Sequence, residues 1–384
     1  MASYTFEGNL NSNEIFGALY NMIISQQVFA DNIKGVYGSL ADKFRVDGSL
    51  YGDTKLYYAT DALKSVEWGN DAEAANLLAL DRPEAPEVQA ITIDQFRQIR
   101  LTVDNYLSKR AFSTEGAFSQ FNSVMLGWIG ETKKIYDATL VNTFVGTTKS
   151  AADKGTIEIS VSTAVGSKTG EEANRLEAQA IAQGLADLLV DMKDITRDYN
   201  DYGNLRSYDE SDLMIVWNSK YANKLTKLDM PTIFHKDGLL TDMSNVLPAR
   251  YFGNVVTSAV AKASVTANTY RSLIECDYAT GTTTATVTHV FPGDYIPATS
   301  AKVKSVSGTT VTTEAGILAN EAYKADETVI CKVVHKNAVP FMSAFETSTS
   351  FFNPRSLTEN HYLTFGYSKP AYLKDKPFIT VVAD

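Results

Sequence analysis

The sequence predicts an α+β fold: an N-terminal arm, an extended loop, one long spine helix, mixed layers of helix and strand, and a small inserted β-barrel-like module. Three observations predict it. First, Val46–Phe112 has little compact-core patterning and reads as an out-and-back excursion. It opens at Gly48 and Gly52, runs through β-prone Lys55–Thr60, passes the acidic Asp81-Arg82-Pro83-Glu84-Ala85-Pro86-Glu87, and returns from Ile91-Thr92-Ile93 to Leu107. Second, this excursion runs straight into an uninterrupted amphipathic helix. Third, between Thr257 and Lys336 the composition shifts to Thr, Val, Ser and Ala with glycine turns, the mark of several short strands.

Taken in order, Ser12–Ala30 places Ile15, Phe16, Leu19, Tyr20, Ile23, Ile24, Gln27 and Val28 at helical spacing, with Asn11, Ser12 or Asn13 available as cap. The excursion follows. A structureless loop of that length does not fit inside a compact domain, so Leu50, Leu56, Tyr57, Tyr58, Val66 and Trp68 are expected to find apolar partners on another chain. Trp68, between Glu67 and Gly69, reads equally well as an intermolecular anchor or as a locally buried residue.

Ser113 or Thr114 then caps a helix expected over 115–145. Phe118, Phe121, Val124, Met125, Trp128, Ile129, Ile135, Tyr136, Leu140, Val141 and Phe144 keep a period near 3.6. At 1.5 Å per residue it is roughly 45 Å long, about the width of a domain. Thr156–Ala164 alternates as a strand, and Thr169 with Glu172 forms a capping-box pattern. The helix behind it buries Leu176, Ala180, Ile181, Leu185, Leu188, Leu189, Met192 and Ile195. Leu213–Trp217 is a wholly apolar, central strand, and Asn218 or Ser219 caps a short helix through Leu228.

Short strands are then expected at Thr284–Val290, Lys302–Val306, Thr309–Thr313 and Thr328–His335, as a barrel or sandwich inserted into the α/β region. Leu363–Tyr367 and Pro377–Val382 close the chain as strands expected to rejoin the earlier sheet. The expected division is 1–45, 46–93, 94–195, 196–256, 257–337 and 338–384.

The 384 residues suffice for a large core without staples, and two cysteines make no disulfide framework. No apolar run reaches the roughly twenty residues of a membrane span, and Met1-Ala2-Ser3-Tyr4 has no signal-peptide pattern, so a soluble chain made in a cytoplasm is expected. A net charge of −10 argues against tight phosphate binding, while a wall around nucleic acid remains compatible with it.

The motifs of chemistry fail together. Gly146-Thr147-Thr148-Lys149-Ser150 lacks the glycines of a phosphate loop, and dinucleotide, zinc-protease, Cys-x-x-Cys, nucleophile-elbow and EF-hand patterns are absent from the sequence. His235, His289, His335 and His361 are scattered. Cys331 and His335 share a strand face but stand about 13 Å apart at 3.3 Å per residue, too far for a nucleophile and its base. Glu171 with Glu172 suits a helix's first turn; Asp71 with Glu73, Glu84 with Glu87 and Asp209 with Glu210 read as solvated loop charge. No catalytic, cofactor-binding or metal-binding residues are expected.

Two blocks carry a family resemblance: Asp212-Leu213-Met214-Ile215-Val216-Trp217-Asn218-Ser219-Lys220-Tyr221, and Phe351-Phe352-Asn353-Pro354-Arg355-Ser356-Leu357-Thr358-Glu359-Asn360-His361-Tyr362-Leu363-Thr364. With the order of elements, they resemble a major capsid protein of tailed bacteriophages, of the Hong Kong 97 type fold. The resemblance implies that Val46–Ile93 is an extended loop over a neighbouring subunit. It implies a peripheral domain of 94–195 plus the C-terminal strand, and an axial domain made of the remainder. Val290–Ala298, Ala315–Leu318 and Thr328–His335 look like the small β-barrel of phage decoration proteins, here built in.

The function implied is structural: hexamers and pentamers of an icosahedral shell enclosing packaged double-stranded DNA with weak, non-specific contact. The implied partners are further copies, a separate scaffolding protein and the portal, with no membrane. The location implied is the virion capsid, after synthesis in a host bacterial cytoplasm. Gly116, Gly127 and Gly130 are candidate bending points of the spine, or positions of close packing. Two other classes remain. A tail-tube or decoration protein would suit the Thr-rich segment but not the spine helix. A cytoplasmic hydrolase with an unrecognised carboxylate pair would elute as a small oligomer instead of forming shells.

Overall fold

The computed structural model describes residues 38–46, 54–65, 80, 82–104, 115–227, 245–281 and 285–384. The expected Ser12–Ala30 helix, the Ser113 or Thr114 cap, the Phe118, Phe121 and Met125 side chains, and Leu228 lie outside the described residues. Ten strands build two five-stranded sheets: β1 (Arg45–Val46), β2 (Thr54–Ala59), β3 (Glu87–Asp104), β4 (Thr156–Ile159), β5 (Leu213–Asn218), β6 (Val246–Leu247), β7 (Val329–His335), β8 (Phe341–Asn353), β9 (Thr358–Ser368) and β10 (Phe378–Ala383). One sheet runs β4-β10-β7-β5-β6 and the other β1-β8-β9-β3-β2.

The first sheet is the core of the molecule. Every residue of β5 is buried, and alternation along the strand divides them between two apolar layers. Leu213, Ile215 and Trp217 join Ile181, Leu185, Leu188, Leu189 and Met192 of the Gly170–Lys193 helix, with Leu225 of the Ser219–Lys227 helix. Met214 and Val216 face the opposite way, onto Tyr136, Leu140, Val141 and Val145 of the spine helix. That helix spans Glu115–Thr147, two residues beyond the expected end. A strand sandwiched by helices on both faces reads as a continuous apolar run, which is why Leu213–Trp217 is legible locally. Asn218 Oδ1 accepts from the Lys220 amide at 3.1 Å, holding the turn into the next helix.

Several elements depart from expectation. Thr156–Ala164 is not one strand: β4 stops at Ile159 and Val161–Val165 is helical. The Asp384 carboxylate accepts from the Ser162 amide and hydroxyl at 2.7 and 2.6 Å, so a long-range contact supplies the helix start. Thr169 occupies the N-cap position of the next helix without a side-chain cap bond; Glu172 pairs instead with Lys168 at 2.9 Å. That helix ends at Lys193, which leaves Ile195 exposed rather than on the buried stripe.

Two strands belong to other sheets than expected. Val329–His335 is not part of the β-rich insertion; it pairs with β5 and β10 at the centre of the first sheet. Phe378–Ala383 pairs there too, antiparallel to β7 and parallel to β4, rejoining the earlier sheet as expected, whereas Leu363–Tyr367 lies in β9 of the second sheet. The long partner of the spine is the hairpin β8–β9, whose second strand pairs with β3 from Ile93 to Asp104. The returning half of the excursion is therefore an integral strand, with Ile91, Ile93 and Val103 buried.

Between Gly253 and Ala325 the chain forms three small sheets, not one closed barrel, among the described residues. Thr286–Val290, Cys276–Thr280, Ser300–Ser307 and Thr310–Thr313 make the largest. This insertion has its own apolar centre at Val265, Tyr270, Tyr278, Val290, Ile296 and Ile317.

Candidate intersubunit surface

The β2–β3 hairpin presents two unlike faces, because antiparallel pairing sets Leu56 opposite Ala90 and Tyr58 opposite Val88. Leu56 is 51% exposed and Tyr58 64%, and Val88 between the same strands is also exposed. Thr54 and Thr92 extend this face through a hydroxyl contact of 2.9 Å. Tyr57 points the other way, onto Ile91, Ile93, Met342 and Leu373 of its own subunit. Burial there pushes its phenol above the ordinary range. Of the six residues expected to contact a neighbour, Leu56 and Tyr58 share the free face, Tyr57 turns inward, and Leu50, Val66 and Trp68 lie outside the described residues.

Polar contacts fix this hairpin to its own body. Gln89 donates to Tyr372 O at 2.9 Å and accepts from the Lys374 amide at 3.0 Å. Beyond β2, Arg206 donates to Thr60 O at 2.6 Å, and Asp61 accepts from the Leu205 amide at 2.9 Å and from Arg197 at 2.6 Å. The Leu205 amide first, and then Arg197, hold the Asp61 carboxyl down at about 2, so it stays ionised throughout the neutral and mildly acid range. The result is an apolar face on a strand pair whose angle to the body is set by side-chain anchors.

A second exposed apolar group stands at the far end of β3, where Asp104 pairs with Thr358 near the β8–β9 turn. Phe351 is 63% exposed, with Phe352 and Leu357 beside it. Sequence reasoning missed these as surface residues, although adjacent phenylalanines just before the Asn353-Pro354 turn were the available signal.

Between the ends, Arg97 ties β3 to three other parts. It pairs with Glu275 of the insertion at 2.7 Å, lies 5.0 Å from the centre of the Tyr136 ring on the spine, and through Tyr136 meets Tyr367 of β9, the two hydroxyls being hydrogen-bonded. His289 completes the contact, its two ring nitrogens 3.0 Å from Glu275 and 2.7 Å from Asp277.

Burial raises both cysteine thiols above their ordinary range. Cys331 is wholly buried and burial drives its thiol far above the ordinary range. Among the described residues, no group of three or more His, Cys, Asp or Glu is placed to hold a metal ion, and no helix is long and apolar enough to cross a membrane. Two exposed apolar groups thus stand at opposite ends of one long strand.

The sequence matches the family model of the Phi29-like phage major capsid protein over residues 5–380. This chain belongs to that family. No curated protein matches it. Among solved structures, the chain resembles one in the capsid of Staphylococcus phage Andhra at 12% identity and a TM-score of 0.56, covering 89% of this chain and 83% of that one. It is similar to the same extent, at 9% identity, to a chain in the structure of the head fiber and inner core protein gp22 of native bacteriophage P68. At such identities the likeness concerns the fold: the α+β architecture is that of phage capsid structures and is consistent with the Hong Kong 97 type. The protein is a structural major capsid protein that self-assembles into the shell of a phage virion.

Proposed function

We propose that the outward face of the β2–β3 hairpin is an intersubunit contact of the shell, with Leu56 and Tyr58 as its apolar anchors and with Leu50, Val66 and Trp68 continuing it along the loop. The observation that carries this reading is the pairing of an exposed apolar face with a root fixed to its own body, so that the face is held out at a set angle. Burying each large apolar side chain on association is worth roughly 1.5–3 kcal/mol, before the cost of lost freedom. Repetition over every copy in a closed lattice makes such modest contacts collectively strong.

In this reading, copies join as hexamers and pentamers, curvature being set by the loop and the spine. A separate scaffolding protein directs assembly, a portal occupies one vertex, and the acidic chain encloses double-stranded DNA with weak, non-specific contact. Synthesis takes place in the host bacterial cytoplasm, the role is architectural with no enzymatic step, and no membrane takes part. The domain division is 1–45 arm, 46–93 extended loop, 94–195 peripheral domain with the spine, 196–256 axial domain, 257–337 β-rich insertion followed by β7, and 338–384 axial remainder with the C-terminal peripheral strand.

The test is the double variant Leu56→Asp, Tyr58→Asp, co-expressed with the scaffolding protein. Shells should be lost in negative-stain micrographs while circular dichroism and the melting temperature of the unassembled chain stay at wild-type values. Normal shells from a folded variant would overturn the contact.

A further inference from the structure

The spine helix buries one carboxylate that its surroundings leave half-satisfied. Asp137 is 2% exposed. Its Oδ2 accepts from Arg45 at 3.3 Å, and its Oδ1 has no partner among the described residues. Arg45 also lies 3.6 Å from the exposed Asp42. The other nearby cation, Lys133, sits one turn back on the spine and donates to Glu346 of β8 at 2.7 Å. The charged groups facing Asp137 are thus Lys133 from the spine, Arg45 from β1, Glu346 from β8 and Asp42 from the Gly38–Phe44 helix. The cations are shared with other carboxylates, so the ionised form of Asp137 is under-compensated in a site from which water is excluded.

Arg45 brings a short element of helix and strand, residues 38–46, against this group. Leu40, Ala41 and Phe44 of the 38–44 helix bury against Ile129, Tyr136 and Leu140 of the spine. β1 adds two parallel pairs, Arg45 with Phe341 and Val46 with Met342. Leu40, Ala41 and Phe44 are all buried, so apolar packing holds the segment and the under-compensated charge of Asp137 opposes it.

We propose that Asp137 sets the docking of segment 38–46 on the spine helix: the segment is held weakly while Asp137 is ionised and clamps down when Asp137 takes up a proton. The sign follows from linkage. Burial, opposed in part by Lys133 and Arg45, pushes the docked Asp137 carboxyl up to about 6 from its ordinary 3.8. Lifting the segment returns it to water and to that ordinary value. The docked state therefore binds the proton more tightly, so docking strengthens as pH falls from about 6 towards 4, and the full penalty is present above about 6. Since 38–46 directly precedes the loop and pairs with β8, a lifted segment frees both the start of the loop and the edge of the second sheet. This device stands apart from the Leu56 and Tyr58 contact, and neither requires the other.

Amide hydrogen exchange on the full-length chain, held in one assembly state and corrected for intrinsic rates, reads the device directly. From pH 5 to pH 8, protection of the 38–46 amides should fall by about tenfold, because docking changes tenfold per pH unit only up to the docked value near 6. Amides of β7 serve as a reference whose protection should not fall, since Lys332 there adds stability as pH rises past about 7. Asp137→Asn should hold protection high and flat across the range. A wild-type segment with no pH dependence, or one whose slope persists in Asp137→Asn, would overturn the proposal. Arg45→Gln provides a second reading that does not depend on the first variant folding. It should lower protection at pH 8 and leave pH 5 near wild type, whereas an equal loss at both pH values would show the arginine acting by packing alone.

Discussion

At the scale of single residues, the least expected is Lys332, wholly buried in β7 at the heart of the first sheet. Its ammonium lies 2.6 Å from Thr148 O, just past the end of the spine helix, and 2.6 Å from Thr380 Oγ1 of β10. It therefore fixes the helix terminus, where carbonyls lack partners and the dipole favours a cation, to the central sheet. No carboxylate partners it among the described residues, and burial first, then Lys149, pulls it down from 10.5 to about 7. A depressed lysine costs stability wherever the unfolded chain holds the proton more tightly. The cost is complete below about pH 7 and is relieved as pH rises towards 10.5. Lys332→Met, similar in length and apolar, should raise stability at pH 6 by roughly 1–4 kcal/mol, the range for apolar replacement of buried ionic groups. It should also flatten the rise of stability between pH 7 and 10. Denaturant melts across that range check both, and an unchanged slope would refute the account. The strand alternation that sets Leu56 and Tyr58 apart from the inward-turned Tyr57 was available in the sequence, although all three were expected to act together. The burial of Lys332 was not available there, because it comes from non-local neighbours: the end of the spine and β10.

At the scale of elements, what could be read depended on how local the cause was. The spine helix and β5 declare themselves through a sustained period and a continuous apolar run. The partners of β7 and β9 do not, since a strand pattern states that a strand exists and says nothing of which sheet takes it. The split of Thr156–Ala164 has the same origin, in a carboxylate far along the chain. The glycines of the spine show how structure resolves an ambiguity that sequence leaves open. A Cβ built at Gly127 or Gly130 meets nothing within 4 Å, so neither permits close packing within the subunit. At Gly146 it would lie 2.0 Å from Tyr251 O, where backbone must press against backbone. Gly130→Ala should therefore stabilise the chain by about 0.5–1 kcal/mol through helix propensity alone. Gly146→Ala should destabilise it by about 1–3 kcal/mol as an overpacked contact. Thermal melts of the unassembled chain distinguish them, and shifts of the same sign would contradict this division.

At the scale of the whole molecule, the insertion is joined to the body by a narrow neck. Its strands enter and leave side by side, Gly253–Val255 pairing with Ala322–Ala325, and the Val256 amide donates to Ala322 O at 2.9 Å. Its apolar centre does not merge with that of the body. Contacts to the body include the Arg97 pair with Glu275 and the Gly293 region against Tyr251, where an added Cβ would lie 2.7 Å from the ring. A unit with its own core and adjacent ends behaves as a separable domain, since excising it exposes little of the remaining core. Replacing residues 257–321 by a short Gly-Ser turn should therefore leave a soluble body with native circular dichroism and unchanged exchange protection in β5, β7 and β10. The melting temperature should drop modestly, because Arg97 loses its carboxylate while keeping Tyr136. The Arg97→Met variant in the intact chain should reproduce much of that drop if this ionic link is the main coupling. An insoluble excised chain, or loss of protection throughout the first sheet, would mean that the insertion and the body fold as one unit despite the narrow neck between them.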